Sequence, residues 1–382
     1  MAKKIIFGVL GGIFTIFYAF FGSFADFDTC LADENTPPYK AMTTMEVQSG
    51  RALYSYNAEE KLPMASTTKI ITAIYVIEHT QNVDELVEIP KEAQGVEGSS
   101  IYLRAGEHLS VLELLYGLML QSGNDAAVAL AINNAGNVEN FCRCVNEWLL
   151  DIGILSTHIV TPNGLHDDNH YTTAYDLARI SCYAMRNDIF RKIVSTKKIA
   201  IANELKDEPR YIVNKNKLLK TLDGCTGIKT GYTKKAGRCL VASQNIDGME
   251  VVTVVLNCGP MFEECTRLLE KAHAEYTMTD ILAEYNHIGV LEVETKKGIE
   301  KVNVVSKTGF TYPLTDEEKT RLRIVIDLPE HLIAPVNQDD IVGEIKIYVS
   351  NQLLFSAKIY TIESVKEITL SEIYKKVIEK ML

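Results

Sequence analysis

Three short motifs in this chain bring together the groups that acyl transfer needs: Ser66-Thr67-Thr68-Lys69, Ser122-Gly123-Asn124 and Lys229-Thr230-Gly231. Residues three apart on a helix share a face, so Lys69 Nζ can reach Ser66 Oγ and take its proton. A lysine does this only as the neutral amine, and its pKa falls when it is desolvated or set near another cation. Ile70 and Ile71 beside it, and Lys229 across a cleft, would supply both effects. A serine at a helix N-terminus also meets free backbone N–H groups and the positive end of the dipole, which favour an oxyanion there. The expected chemistry is nucleophilic catalysis through a serine ester, with no metal and no cofactor.

A second set occurs in the same order: Ser195-Thr196-Lys197-Lys198, Ser243-Gln244-Asn245 and Lys307-Thr308-Gly309. Context separates the two. Ser66 opens a strongly apolar helix, Ser122 lies in a turn between helices, and Lys229 is in a Gly-flanked strand. The second set would spread its groups over two domains and gives its serine no helix start.

The elements that must position the first set can be read from periodicity. Ala41 to Tyr56 reads as a hairpin turning at Ser49-Gly50, and Thr67 to His79 as a helix with Ile70, Ile71, Ile74 and Ile77 on one face. Ser110 and Glu113 form a capping box before Leu112 to Leu120, and a helix over Asp125 to Asn134 follows the Ser-Gly-Asn turn. Helices are expected at Val138 to Leu150, Thr173 to Met185 and Phe262 to Thr277, and strands at Ile228 to Tyr232, Arg238 to Ser243 and Met249 to Leu256. Strands at both ends with helices between them close into an α/β fold, one mainly antiparallel sheet covered by helices. Residues 288 to 362 alternate as short strands, with turns expected at Thr315-Asp316-Glu317 and Asn337-Gln338-Asp339, and make a small β-rich second domain. The tail from Leu370 to Leu382 returns to helical spacing with a weakly basic, amphipathic character and is a candidate membrane anchor.

The 382 residues carry 39 Lys+Arg against 50 Asp+Glu, a net charge of −11 that disfavours nucleic acid as a partner. Lys3 and Lys4 precede a stretch from Ile5 to Ala25 without a charged residue, and Ser23-Phe24-Ala25 has the pattern of a cleavage site. The segment reads as a signal peptide, or as an uncleaved anchor. The working part of the chain is therefore expected outside the cytoplasmic membrane, at its outer face or in the cell wall. The expected divisions are 1–25 signal, 26–280 catalytic domain, 281–364 β-rich domain and 365–382 amphipathic helix. Cysteines 30, 142, 144, 182, 225, 239, 258 and 265 show no repeated spacing and read mostly as free structural thiols. Cys142-Arg143-Cys144 is too tight for a zinc pair, and His166 with His170 lacks a helix to align the rings.

The stretch from Glu60 to Ile70, Glu-Lys-Leu-Pro-Met-Ala-Ser-Thr-Thr-Lys-Ile, closely resembles the active-site helix of the serine-type D-alanyl-D-alanine carboxypeptidases, the low-molecular-weight penicillin-binding proteins. Leu120 to Ala126, Asn163-Gly164-Leu165-His166-Asp167, Asn216 to Leu219 and Gly227 to Thr233 continue the likeness, which is strong over roughly residues 35 to 275. The resemblance implies a penicillin-binding transpeptidase fold and a peptidoglycan stem peptide as substrate. It makes Ser66 the nucleophile, Lys69 the general base and Ser122 a proton relay to the leaving D-alanine. Asn124 would hold the acyl-side amide, Lys229 and Thr230 the terminal carboxylate, and Gly231 would allow close backbone approach to the substrate. The oxyanion hole would be the N–H groups of Ser66 and Tyr232. β-Lactams would acylate Ser66.

Two departures stand out. Thr226 occupies a position where many members of that family carry an acid, and Gly259-Pro260-Met261 replaces a turn where some carry an arginine. Between Ser122 and Lys229 the glutamates are 139, 147, 204 and 208, none with Asn four residues on, so the deacylation signature of a class A β-lactamase is missing. The alternatives are an endopeptidase or weak β-lactamase on the same residues, and a catalytically idle wall-binding protein.

Overall fold

The computed structural model describes residues 37–204, 208–367 and 378. The expected signal segment, Cys30 and nearly all of the expected tail helix lie outside these residues. Among the described residues no helix is long and apolar enough to cross a membrane.

A hairpin of β1 (Ala41–Glu46) and β2 (Ala52–Tyr56) begins the catalytic part, and a 3-10 turn (Ala65–Thr68) leads into α1 (Lys69–Glu78). Next come β3 (Leu86–Glu88), β4 (His108–Ser110), α2 (Val111–Leu120), α3 (Asn124–Ala135), α4 (Val138–Asp151) and α5 (Ala174–Met185). Then follow α6 (Asp188–Ser195), β5 (Lys198–Ile201), β6 (Arg210–Val213) and α7 (Leu218–Thr221), before β7 (Cys225–Thr233), β8 (Gly237–Ile246), β9 (Met249–Leu256) and α8 (Met261–Glu275). The capping box at α2 is formed, with the Ser110 side chain accepting from the Glu113 N–H and the Glu113 carboxylate from the Ser110 N–H.

The main sheet has five strands in the order β2-β1-β9-β8-β7, all pairs antiparallel, which puts the Lys-Thr-Gly strand β7 at an edge. Its strands alternate between two cores. Cys239 and Val241 of β8 face a large cluster with α1 to α6, while Leu240 and Ala242 face a smaller one with Leu268 and Leu269 of α8. Because helices cover both faces, β9 is buried along its whole length and reads as a nearly continuous apolar run.

The β-rich part comprises β10 (Thr277–Leu282), β11 (Asn286–Thr295), β12 (Gly298–Ser306), β13 (Phe310–Leu314), α9 (Asp316–Thr320), β14 (Leu322–Asp327), β15 (His331–Ile333), β16 (Ile341–Val349) and β17 (Gln352–Thr361). Its six-stranded sheet runs β14-β16-β17-β12-β11-β15 around its own apolar core. The expected turn at Thr315 is in fact a short helix, because Thr315 and Glu318 form a second capping box.

One arginine joins the two parts. Arg51, from the β1–β2 hairpin, donates from Nη1 to the Pro313 carbonyl at 2.5 Å and to Glu318 Oε2 at 3.0 Å, and from Nη2 to Glu318 Oε1. Its guanidinium also lies over the rings of Tyr276 and Tyr312.

Candidate active site

Met64 and Ala65 set the turn that carries Ser66. Ala65 adopts φ +49°, a left-handed conformation that a residue with a Cβ seldom takes, and the turn it starts is tied by side chains. Thr67 Oγ1 donates to the Met64 carbonyl at 2.6 Å and Thr68 Oγ1 to the Ala65 carbonyl at 2.7 Å. Ser66 keeps partial access to solvent, whereas Thr67, Thr68 and Lys69 are buried.

Lys69 Nζ lies 3.0 Å from Ser66 Oγ, 2.7 Å from Asn124 Oδ1 and 2.6 Å from the Asn163 carbonyl. The last two oxygens can only accept, so they take two N–H groups of the amine. In the neutral form the remaining lone pair then faces Ser66. Asn124 is held so that its oxygen points at Lys69, because its Nδ2 donates to the Glu97 carbonyl at 2.6 Å. Burial, then the charges of Lys229 and Lys215, push the Lys69 pKa well below the usual lysine value, with Asp125 opposing. Lys229 is also buried and is lowered to about 7, by burial first and then by Lys215.

Ser122 stands in the turn between α2 and α3 with φ +63°, and Asn124 starts α3. The Asp125 carboxylate accepts from the Ile101 N–H at 3.1 Å, the Leu103 N–H at 3.0 Å and Ser100 Oγ at 2.5 Å, pinning the preceding loop against α3. On β7, Lys229 Nζ donates to the Thr230 carbonyl at 2.8 Å, and Tyr232 is exposed. Gly231 has a packing reason beyond substrate approach: a Cβ there would come within 3.1 Å of the backbone nitrogens of Ser66 and Thr67. Gly164 is also packed against this turn, since a Cβ there would stand 2.0 Å from the Ala65 carbonyl oxygen.

The second motif set is dispersed. Ser195 ends α6, Ser243 is buried in β8 beside Thr226, and Lys307 pairs with Asp339 at 2.8 Å in the β-rich part.

A family model for D-alanyl-D-alanine carboxypeptidases matches residues 33–259, more than half of the chain. The chain belongs to the D-alanyl-D-alanine carboxypeptidase family. A second model, the C-terminal domain of penicillin-binding protein 5, matches residues 276–367 of this carboxypeptidase. The D-alanyl-D-alanine carboxypeptidase DacF of Bacillus subtilis (strain 168) is 28% identical over 381 residues, covering 96% of this chain and 95% of that relative. A D-alanyl-D-alanine carboxypeptidase of Streptomyces sp. (strain K15) is 33% identical over 223 residues, 54% of this chain and 77% of that one. Among solved structures, penicillin binding protein 5 from Haemophilus influenzae aligns with a TM-score of 0.73 at 26% identity, over 88% of this chain and 100% of that one.

Several groups of the carboxypeptidase site escape motif reading. The Asn163 carbonyl is one; Lys215, whose Nζ donates to Ser99 Oγ at 3.0 Å and whose charge reaches both buried lysines, is another. His170 is a third. Its Nδ1 accepts from the Val160 N–H at 3.0 Å, which leaves the proton on Nε2 to be donated to Thr68 Oγ1 at 2.8 Å. Burial lowers its pKa to about 4, so the ring is neutral and both nitrogens are committed. Among the described residues no cluster of three or more His, Cys, Asp or Glu is arranged to hold a metal ion, and the seven described cysteines are free.

Proposed function

We propose that this carboxypeptidase removes the terminal D-alanine from peptidoglycan stem peptides, with Ser66 as nucleophile and Lys69 as its base. The observation that carries the reading is the Lys69 amine, held 3.0 Å from Ser66 Oγ by two acceptors, with its pKa lowered first by burial and then by two nearby cations. Ser66 Oγ attacks the carbonyl between the last two residues as its proton passes to Lys69 Nζ. The tetrahedral oxyanion is received by the Ser66 and Tyr232 N–H groups. Collapse expels the D-alanine amine, which takes the proton from Lys69 through Ser122, and leaves an ester on Ser66 with Lys69 neutral again. Water then gives Lys69 a proton as it attacks the ester, and that proton returns to Ser66 Oγ. Lys229 and the Thr230 hydroxyl bind the substrate's terminal carboxylate, and Asn124, whose side chain already orients Lys69, lies at the acyl side.

β-Lactams acylate the same serine in this scheme. Export is supported by the two lysines and charge-free stretch at the N-terminus, and contact with a membrane surface by the amphipathic pattern after Leu370, both from sequence. The direct test is labelling with a fluorescent penicillin alongside D-alanine release from a pentapeptide. Wild type should take one covalent label and release D-alanine, and Ser66→Ala should do neither, a loss of roughly ten-thousand-fold or more in turnover. A label that persists in Ser66→Ala would end the proposal.

A further inference from the structure

Two strands in from the edge strand that carries Lys229 lies a buried acid that the catalytic scheme does not use. Glu250, on β9, is 3% exposed. Its Oε2 meets Arg191 Nη1 at 2.5 Å, and Arg191 is itself fixed by donating from Nη2 to the Met185 carbonyl at the end of α5. The other oxygen, Oε1, is 2.8 Å from Thr226 Oγ1, and Thr226 Oγ1 is 2.7 Å from Ser243 Oγ on the intervening strand β8. A hydroxyl has one proton to give and a carboxylate can only accept, so the chain runs in one direction: Ser243 donates to Thr226, and Thr226 donates to Glu250. The last bond ends on a charged acceptor and is the stronger kind.

Thr226 is followed by Gly227, whose carbonyl accepts from Asn216 Nδ2 at 2.8 Å and whose Cα approaches Val194 of α6 so closely that a Cβ would stand 2.8 Å from a Val194 methyl. Two residues further on is Lys229. The start of β7 is thus gripped at Thr226 by an acid two strands away and at Gly227 by its neighbours, and beyond that grip the outer edge of β7 is unpaired within the sheet. We propose that Glu250 is a positioning residue for the carboxylate-binding end of the site: acting through Thr226, it fixes where β7 starts and so sets Lys229 and Thr230 at the right height opposite Ser66. The proposal rests on the reading of Lys229 and Thr230 as the carboxylate site, and its effect is confined to substrates that carry that carboxylate.

Two activated substrates separate the possibilities, an acyl-D-alanyl thioglycolate with a free carboxylate and its methyl ester, each followed by thiol release. Thr226→Val keeps the shape and removes the donated proton. It should lower kcat/KM for the acid about tenfold, mainly through KM, and leave the ester within about twofold, as expected for one hydrogen bond to a buried charge. Glu250→Gln keeps an acceptor without the charge and should give about a threefold loss on the acid alone. Lys229→Ala serves as the reference. If it discriminates acid from ester while Thr226→Val affects both equally or neither, Glu250 has no positioning role. If Lys229→Ala itself fails to discriminate, the carboxylate-site reading falls and this inference falls with it. Should Glu250→Gln not fold, the Thr226→Val comparison alone decides.

Discussion

The catalytic domain buries Lys69, Lys229, Glu46, Glu107, Asp125, Glu250 and His170, whereas over residues 276–367 the buried polar side chains among the described residues are Ser306 and Thr361. Both domains have continuous apolar cores, so burying charge is not what makes a chain of this composition fold. Taking a charge out of water costs several kcal/mol unless it is paired or hydrogen-bonded. In the catalytic domain the buried acids are satisfied: Glu107 takes two bonds from Arg210, at 2.7 and 2.8 Å, and Glu250 takes Arg191 and Thr226. The two buried lysines meet only neutral acceptors. That asymmetry fits the roles proposed above, positioning for Glu250 and reaction or binding for the two lysines.

Acid and base titrations sharpen the contrast. Lys229 must be charged to hold a carboxylate, and burial has lowered it to about 7, so kcat/KM for a carboxylate-bearing peptide should fall above that pH, approaching tenfold per unit, chiefly through KM. Protonation of Lys69 should close the profile on the acid side. A profile flat from neutrality into the alkaline range would remove Lys229 from the binding role.

His170 supplies the stability counterpart. Its folded value of about 4 lies below the ordinary 6.5, so between these values the unfolded chain takes up a proton that the folded one refuses. Stability is complete above the ordinary value and drains away as pH falls toward the folded one, by up to about 3 kcal/mol. Urea midpoints measured across that window should drop in wild type and stay nearly level in His170→Gln; parallel curves would count against the buried neutral ring.

The smallest effect is expected where the domains meet. Arg51→Lys keeps the charge but loses the forked contact with Glu318, for about 1 kcal/mol of stability, with kcat/KM unchanged. A matching loss of activity would erase the distinction between the two regions.

The proximity of the proposed reacting residues was legible because regular structure converts spacing into contact: three residues of helical chain carry Lys69 to Ser66, and alternation along a strand places Lys229 and Gly231 on one side. Position in the chain also separated Ser195, Ser243 and Lys307, which the fold disperses, from the first set. The supporting groups were not legible. The Asn163 carbonyl is a backbone atom that any residue possesses, and Thr226 meets Glu250 across two strands, a pairing that depends on sheet order and register. Helix α6 and the β5–β6 hairpin went unread because each is short, and the helix at Asp316 was hidden by residues equally suited to a turn.

Helix α8 ends at Glu275 and β10 begins at Thr277, so a single residue, Tyr276, separates the domains, and its ring lies 5.1 Å from the Arg51 guanidinium. A one-residue joint, bridged by Arg51 from the β1–β2 hairpin to Pro313 and Glu318, leaves the chain little length with which to part the two domains without first breaking that bridge.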